Sequence, residues 1–255
     1  MGAAAVRLLI RLADGVVNAA VLTFFLLLLA YGCYALWDSR QVLGAAQSQQ
    51  YEIYNPNRDG GKSFQELQGI NPEVIGWITV YDTGIDYPVT QAEDNEKYVN
   101  TDVEGNYSLA GSIFLDCRNK SDFSDFNSIL YGHHMAENAM FGDLADFQDD
   151  AYFKEHRYGN LYDGNRNWGV ELFAFLQTDA YDTRIYRPGI AWEEQQDYLE
   201  TIRQEALRFR DIEVKTGERL LLLSTCTSDS TNGRHILVGK ICDQVFGDSG
   251  QAQES

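Results

Sequence analysis

The residues that could do chemistry lie in "ERLLLLSTCTSDSTNGRHILVGKIC", Glu218–Cys242. Cys226 ends one apolar run and Arg234 opens the next. In an extended chain Leu220, Leu222, Ser224 and Cys226 share one face, and Leu221, Leu223 and Thr225 the other. The intervening "TSDSTNG" is rich in turn formers, which suggests a hairpin. Antiparallel pairing would set Arg234 beside Cys226. A permanent guanidinium there would favour thiolate and could hold an oxyanion. Cys is also often buried as a small hydrophobe, and this segment alone supports a core Cys as well as a nucleophile.

A thiol nucleophile needs a base or charge partner. The chain has four His. His156 lies in the charged stretch "KEHR" and reads as solvated. His235 should face away from Arg234 on the same strand. His133 and His134, in "LYGHHM", follow a strand and a Gly, and in extended chain only one of the two should face a given site. No HExxH and no His/Cys ligand spacing appears, so no metal is expected. No phosphate-cradling Gly-rich loop appears either, and no cofactor is expected. "GDSG", Gly247–Gly250, echoes a serine-protease nucleophile loop, but it lies in a polar tail and reads as coincidence.

The elements that must position these groups follow from the rest of the chain. Gly15–Trp37 is a stretch of 23 residues without a charge. As a helix it reaches roughly 34 Å, enough to cross a bilayer core of about 30 Å. Arg7 and Arg11 precede it, and Tyr31, Tyr34 and Trp37 cluster at its far end, the pattern of a membrane anchor with its N-terminus inside. The competing reading, a cleaved signal peptide, suits so long a run less well. The net charge of −18 repels phosphate backbones and argues against a nucleic-acid partner. Four Cys at 33, 117, 226 and 242 form no CxxC pair. Cys117 and Cys242 could pair in an oxidising space.

The division expected is a cytoplasmic N-terminus over 1–14, a transmembrane helix over 15–37, a helical stalk over 38–70, a domain over 71–245 and a disordered tail over 246–255. The domain reads as mostly β with helical insertions. "VIGWITV" and "IDYPVT" flank "YDTG" as a hairpin, "DNEKYVN" is a helical turn, and "GSIFLD", "NSILYG" and "GVELFAFLQTDA" are strands. Helical spacing marks residues 140–156, and again 191–209, where Trp192, Tyr198, Ile202, Ala206 and Phe209 fall near one face.

Taken together, these segments resemble the sortases, cysteine transpeptidases of Gram-positive bacteria. The family's TLxTC motif is matched by "LLSTC", Leu222–Cys226, with Leu222 in place of the usual Thr. "NPEVIGWITVYDTGIDYPVTQAEDNEKYVN", "AGSIFLDCRN" and "YGHHMAENAMFGDL" resemble class B sortases in order and spacing, as does a helix inserted between the late strands. The resemblance covers roughly residues 70–245. It implies a closed β-barrel and a triad of His133, Cys226 and Arg234, with His133 chosen because the family His directly follows the Gly. It also implies substrate contacts at Asn95, Val99, Ser224 and Thr225.

The implied chemistry is cleavage after the Thr of a C-terminal sorting motif, of an Asn-Pro-x-Thr type, through a Cys thioacyl intermediate. Partners would be secreted proteins bearing sorting signals, and an amine from a peptidoglycan precursor or a pilin Lys. The catalytic domain would sit on the extracellular face of the cell membrane. Two other readings remain: a membrane-anchored cysteine protease with water as acceptor, and a non-catalytic surface-binding module in which Cys226 is a core residue.

Overall fold

The computed structural model describes residues 2–58, 63–227 and 231–247. The chain divides after Gly44 into two units. The first is almost wholly helix α1, Gly2–Ala46. It is longer than the uncharged run, because the flanking residues are mostly good helix formers without Pro. By length and composition it can cross a membrane, and its large apolar side chains, Leu22, Phe25 and Leu29 among them, are exposed.

The second unit is built on strands β1 Val74–Val80, β2 Asp86–Thr90, β3 Ile113–Leu115, β4 Asn127–Tyr131, β5 Tyr158–Tyr162, β6 Asn167–Asp179, β7 Ala206–Phe209, β8 Leu220–Cys226 and β9 Gly233–Cys242. Their order is β5-β1-β2-β3-β4-β8-β9-β6, and pairing of β5 with β6 closes these eight into a barrel, leaving no open edge among them. The β2–β3 and β4–β8 pairs are parallel.

β8 is apolar on both faces because both are covered. Leu221 and Leu223 join the larger core with Trp77 and Leu237. Leu220 and Leu222 pack with Ile129, Ile236, Tyr198 and Ile202. The last two come from helix α4, Gln195–Glu205. This double burial explains an unbroken Leu run where a half-exposed strand would alternate.

Several expectations need correction. Residues 45–70 are not a stalk, since Ala46, Tyr51, Tyr54, Phe64 and Leu67 are buried in the larger core. Each Tyr or Phe–Leu pair is spaced i, i+3. Short 3₁₀ turns at Ser48–Gln50 and Glu52–Tyr54 and helix α2, Phe64–Ile70, with a Ser63/Glu66 capping box, turn these side chains inward.

The helix expected over 191–209 stops at Glu205, and Ala206–Phe209 is strand β7, paired with the outer half of β6. That half of β6 extends past its β5 partner, and its free backbone groups need a ladder. Trp192 lies in a 3₁₀ turn and is exposed rather than on the buried face.

The helix over 140–156 is a 3₁₀ segment, Gly142–Gln148, and helix α3, Asp150–Glu155, parted where the Asp149 carboxylate caps Ala151 and Tyr152. β5 carries no sequence expectation at all. At the C-terminal end the chain stays packed beyond residue 245. Phe246 stacks on Tyr158 with ring centroids 4.2 Å apart, and Tyr81 donates to its carbonyl at 2.6 Å. Residues 248–255, including Ser249 of "GDSG", lie outside the described residues.

Candidate active site

The hairpin geometry at Cys226 follows directly from strand register. β8 and β9 pair antiparallel with Leu222 opposite Val238, Thr225 opposite His235 and Cys226 opposite Arg234. Residues 228–230 of the turn between them are outside the described residues. Cys226 is exposed, the last residue of its strand. It is therefore not the small core residue that the apolar run allowed.

β4 runs parallel to β8 on the other side, with Tyr131 level with Ser224, and the ladder continues as Gly132 N–H donates to the Ser224 carbonyl at 3.2 Å. Two residues further along both strands lie His133 and Cys226, at the same rim of the barrel. Gly132 is required here by space. A Cβ at this position would collide with Ile113 Cδ1 and lie 2.8 Å from Phe141 Cδ2.

His133 Nε2 is 2.8 Å from the Val99 carbonyl oxygen. A carbonyl only accepts, so Nε2 carries a proton in this arrangement and Nδ1 is the nitrogen whose protonation can change. Gly111, at φ 61°, makes room for that carbonyl, since a Cβ there would come within 2.6 Å of it. His134 is turned away. It bridges to Met140, and its Nδ1 is buried with no hydrogen-bond partner among the described residues.

His133, Cys226 and Arg234 line one cleft of about 410 Å³, whose walls also include Asn95, Val99 and Thr225. Asn95 is fixed by accepting the Cys117 N–H at 2.8 Å. Ser224 is not on the wall. It is 1% exposed, and its hydroxyl is 2.7 Å from the hydroxyl of Tyr186, which is on the wall. Its reach into the cleft is thus indirect.

The cleft has residues that sequence reasoning did not find: Phe114, Arg118, Tyr131 and Tyr186. Tyr131 lies between Phe114 (centroids 5.4 Å) and Tyr186 (6.2 Å, 22° between planes). Burial, then the Asp116 charge, raises the Tyr131 phenol well above its ordinary range. Burial pushes Tyr186 up to about 12 against the opposing pull of Ser224 and Arg234. Both are neutral hydrogen-bonding walls, with no role as bases.

Tyr186 sits in the loop between β6 and α4, and Asn127 holds that loop. The Asn127 amide donates to the Arg187 carbonyl at 2.8 Å and accepts from Ile190 N–H at 3.2 Å. Tyr198, from α4, donates to the Ile185 carbonyl at 2.8 Å. Aromatic residues at strand ends near "GH" were a usable signal for Phe114 and Tyr131. Nothing local marks Tyr186. Cys117 and Cys242 are both free, and among the described residues no group of three His, Cys, Asp or Glu is placed to hold a metal.

Known proteins resemble this chain in sequence and in fold. Residues 78–242 match the family model described as Sortase domain. Sortase B of Listeria monocytogenes is 34% identical over 191 residues, 73% of this chain and 77% of that protein. The crystal structure of sortase B from the type II pilus of Streptococcus pneumoniae is 49% identical, with TM-score 0.63, over 71% of this chain and 99% of the other. The Staphylococcus aureus sortase B–substrate complex is 29% identical, with TM-score 0.65, over 76% and 89%.

Proposed function

Because this chain belongs to the sortase family, as a class B cysteine transpeptidase, we propose that Cys226 is its nucleophile, His133 its proton carrier and Arg234 its oxyanion clamp. The observation that carries this assignment is the register: Cys226 opposite Arg234 on β9, and His133 on the same cleft from β4.

The Cys226 thiolate attacks the carbonyl of the Thr in a C-terminal sorting motif. Charge gathers on the carbonyl oxygen, where the Arg234 guanidinium stabilises it. The imidazolium of His133 gives its proton to the leaving amine, the C–N bond breaks, and a thioacyl enzyme remains. An acceptor amine then attacks that thioester, neutral His133 takes its proton, and Cys226 leaves as thiolate. Asn95, Val99 and Thr225 seat the sorting signal, with Ser224 acting through Tyr186.

The acceptor is an amine of a peptidoglycan precursor or a pilin Lys. Residues 15–37 of α1 cross the cell membrane, with residues 1–14 in the cytoplasm and the barrel on the extracellular face, where both substrates are handled. The similarity to a pilus-derived sortase B supports the pilin acceptor as one to be tried.

The full-length protein in detergent, given a sorting-motif peptide and an amine, should form a thioacyl adduct on Cys226 and then an amide product. Cys226→Ala should form neither. Amide product from Cys226→Ala would refute the assignment, and hydrolysis that no added amine diverts would favour a protease.

A further inference from the structure

One charged side chain on the cleft wall has no part in the chemistry above. Arg118 follows β3 and lines the cleft, and although exposed it is bonded at several points to one carboxylate. Its Nε donates to Asp116 Oδ1 at 2.9 Å and its Nη2 to Oδ2 at 2.7 Å. The Arg118 backbone N–H also reaches Oδ1, at 2.9 Å, and Tyr131 donates its hydroxyl to Oδ2 at 2.9 Å.

The carboxylate is wholly buried, whereas the Arg118 side chain is 56% exposed. Its four accepting positions are filled, so Asp116 is spent as a mount and is not a base. Burial alone would raise its pKa, but the Arg118 bonds overcome this and hold it below the ordinary carboxylate range.

A buried carboxylate is costly to desolvate unless fully paired. What this pairing achieves is orientation. Two of the five guanidinium N–H groups face Asp116, which leaves three on the outer edge, in one plane. Such an edge matches a carboxylate in two-point fashion, as an ammonium does not. Among the described residues the cleft wall has no Asp or Glu to compete. Arg118 also stands beside Asn95, which the neighbouring Cys117 N–H fixes, on the wall assigned above to the sorting signal.

We propose that Arg118, mounted on Asp116 and Tyr131, is a specificity-determining residue that binds a side-chain carboxylate of the sorting peptide at the variable position preceding the Thr. This rests on the transpeptidase reading of the same cleft.

The test uses the full-length protein in detergent and four Asn-Pro-x-Thr peptides with Glu, Gln, Ala or Lys at x, followed by mass spectrometry of the thioacyl adduct and by kcat/KM. Wild type should prefer Glu to Ala by about tenfold or more, the scale of one charge-assisted hydrogen-bonded pair. In Arg118→Gln the Glu-to-Ala ratio should fall to about one, whatever the absolute rate. Arg118→Lys should retain part of it, a point charge lacking the fork. Because Arg118→Gln strands a buried carboxylate, the double variant Asp116→Asn/Arg118→Gln, a neutral pair, is measured as well and should show the same lost ratio.

An equal fall with all four peptides would make Arg118 a structural residue only and overturn the proposal. So would a wild-type ratio near one, or an Arg118 effect that followed the charge of the acceptor amine instead. Absence of adduct with every peptide in wild type would instead sink the transpeptidase reading.

Discussion

Replacing Asn127 by Ala should loosen the cleft without touching it. Asn127 is wholly buried, and its side chain bridges β4 to the loop that carries Tyr186. The substitution orphans the Arg187 carbonyl and the Ile190 N–H, which Asn127 bonds at 2.8 Å and 3.2 Å, and removes a third contact, to the Tyr198 hydroxyl at 3.2 Å. A buried polar group left unpaired costs about 1–3 kcal/mol. Two such groups, partly relieved by water, put the loss at about 2–4 kcal/mol. At about 2–4 °C per kcal/mol for a domain of this size, Tm should fall by about 4–16 °C.

Function should follow by a separate route. Ile185 and Arg187 flank Tyr186 and are the residues pinned by Tyr198 and Asn127. Once freed, Tyr186 samples positions off the wall, and KM for the sorting peptide should rise about fivefold or more while kcat falls less. Asn127→Asp sharpens the test. One oxygen still accepts from Ile190, but the other meets the Arg187 carbonyl with no donor between. The folded-state pKa of that carboxyl is raised, so the defect should be largest above it and shrink as pH falls. The measurements are thermal unfolding and initial rates over a peptide series. A lowered Tm with unchanged KM would refute the link between the loop and the cleft, and an unchanged Tm would refute the bonds themselves.

Other outcomes follow from the same geometry. Gly132→Ala drives a methyl into Ile113 and Phe141. It should cost about 1–3 kcal/mol by overpacking and displace His133, read as a fall in kcat larger than any change in KM. Tyr186→Phe removes the bond to Ser224 and should raise KM a few-fold with stability lower by about 1 kcal/mol. The Asp116 carboxyl titrates lower in the folded chain than its ordinary value. It therefore contributes stability at neutral pH that is lost as pH falls through the folded-state value. Asp116→Asn should flatten that acid limb in urea unfolding across pH, and an unchanged limb would count against the pairing.

Much of the site was legible in the sequence because its geometry is local. "TSDSTNG" between two apolar runs announces a hairpin, and a hairpin is enough to set Cys226 against Arg234. "YGHH" after an apolar run marks a strand end, and of its two His the structure places His133 on the cleft wall. What escaped depends on distant partners. Gly159 and Asn160 break any alternation in β5, and only the β1 and β6 ladders on either side make it a strand. The end of the 191–209 segment fits a helical wheel, yet the half of β6 that extends past β5 claims it. Tyr51 and Tyr54 sit in a polar, Gln-rich stretch that reads as a stalk, and only the barrel core explains their burial. Ser224 shares a strand face with Cys226 but is covered by Tyr186, which is placed by Asn127, far away in the chain.

The parallel pairing of β4 with β8 also sets when this protein can become reactive. Among the described residues β8 and β9 are the latest strands in chain order, and β4 lies far earlier, so the cleft closes by a slow, long-range step. Until it does, His133 and Cys226 belong to separate pieces of the chain. On the assignment proposed above, a polypeptide emerging N-terminus first would not bring Cys226 to His133 until the β8–β9 hairpin docks. In refolding experiments, acyl transfer should therefore return with the slowest phase, and its appearance before barrel closure would show that the two strands find each other early.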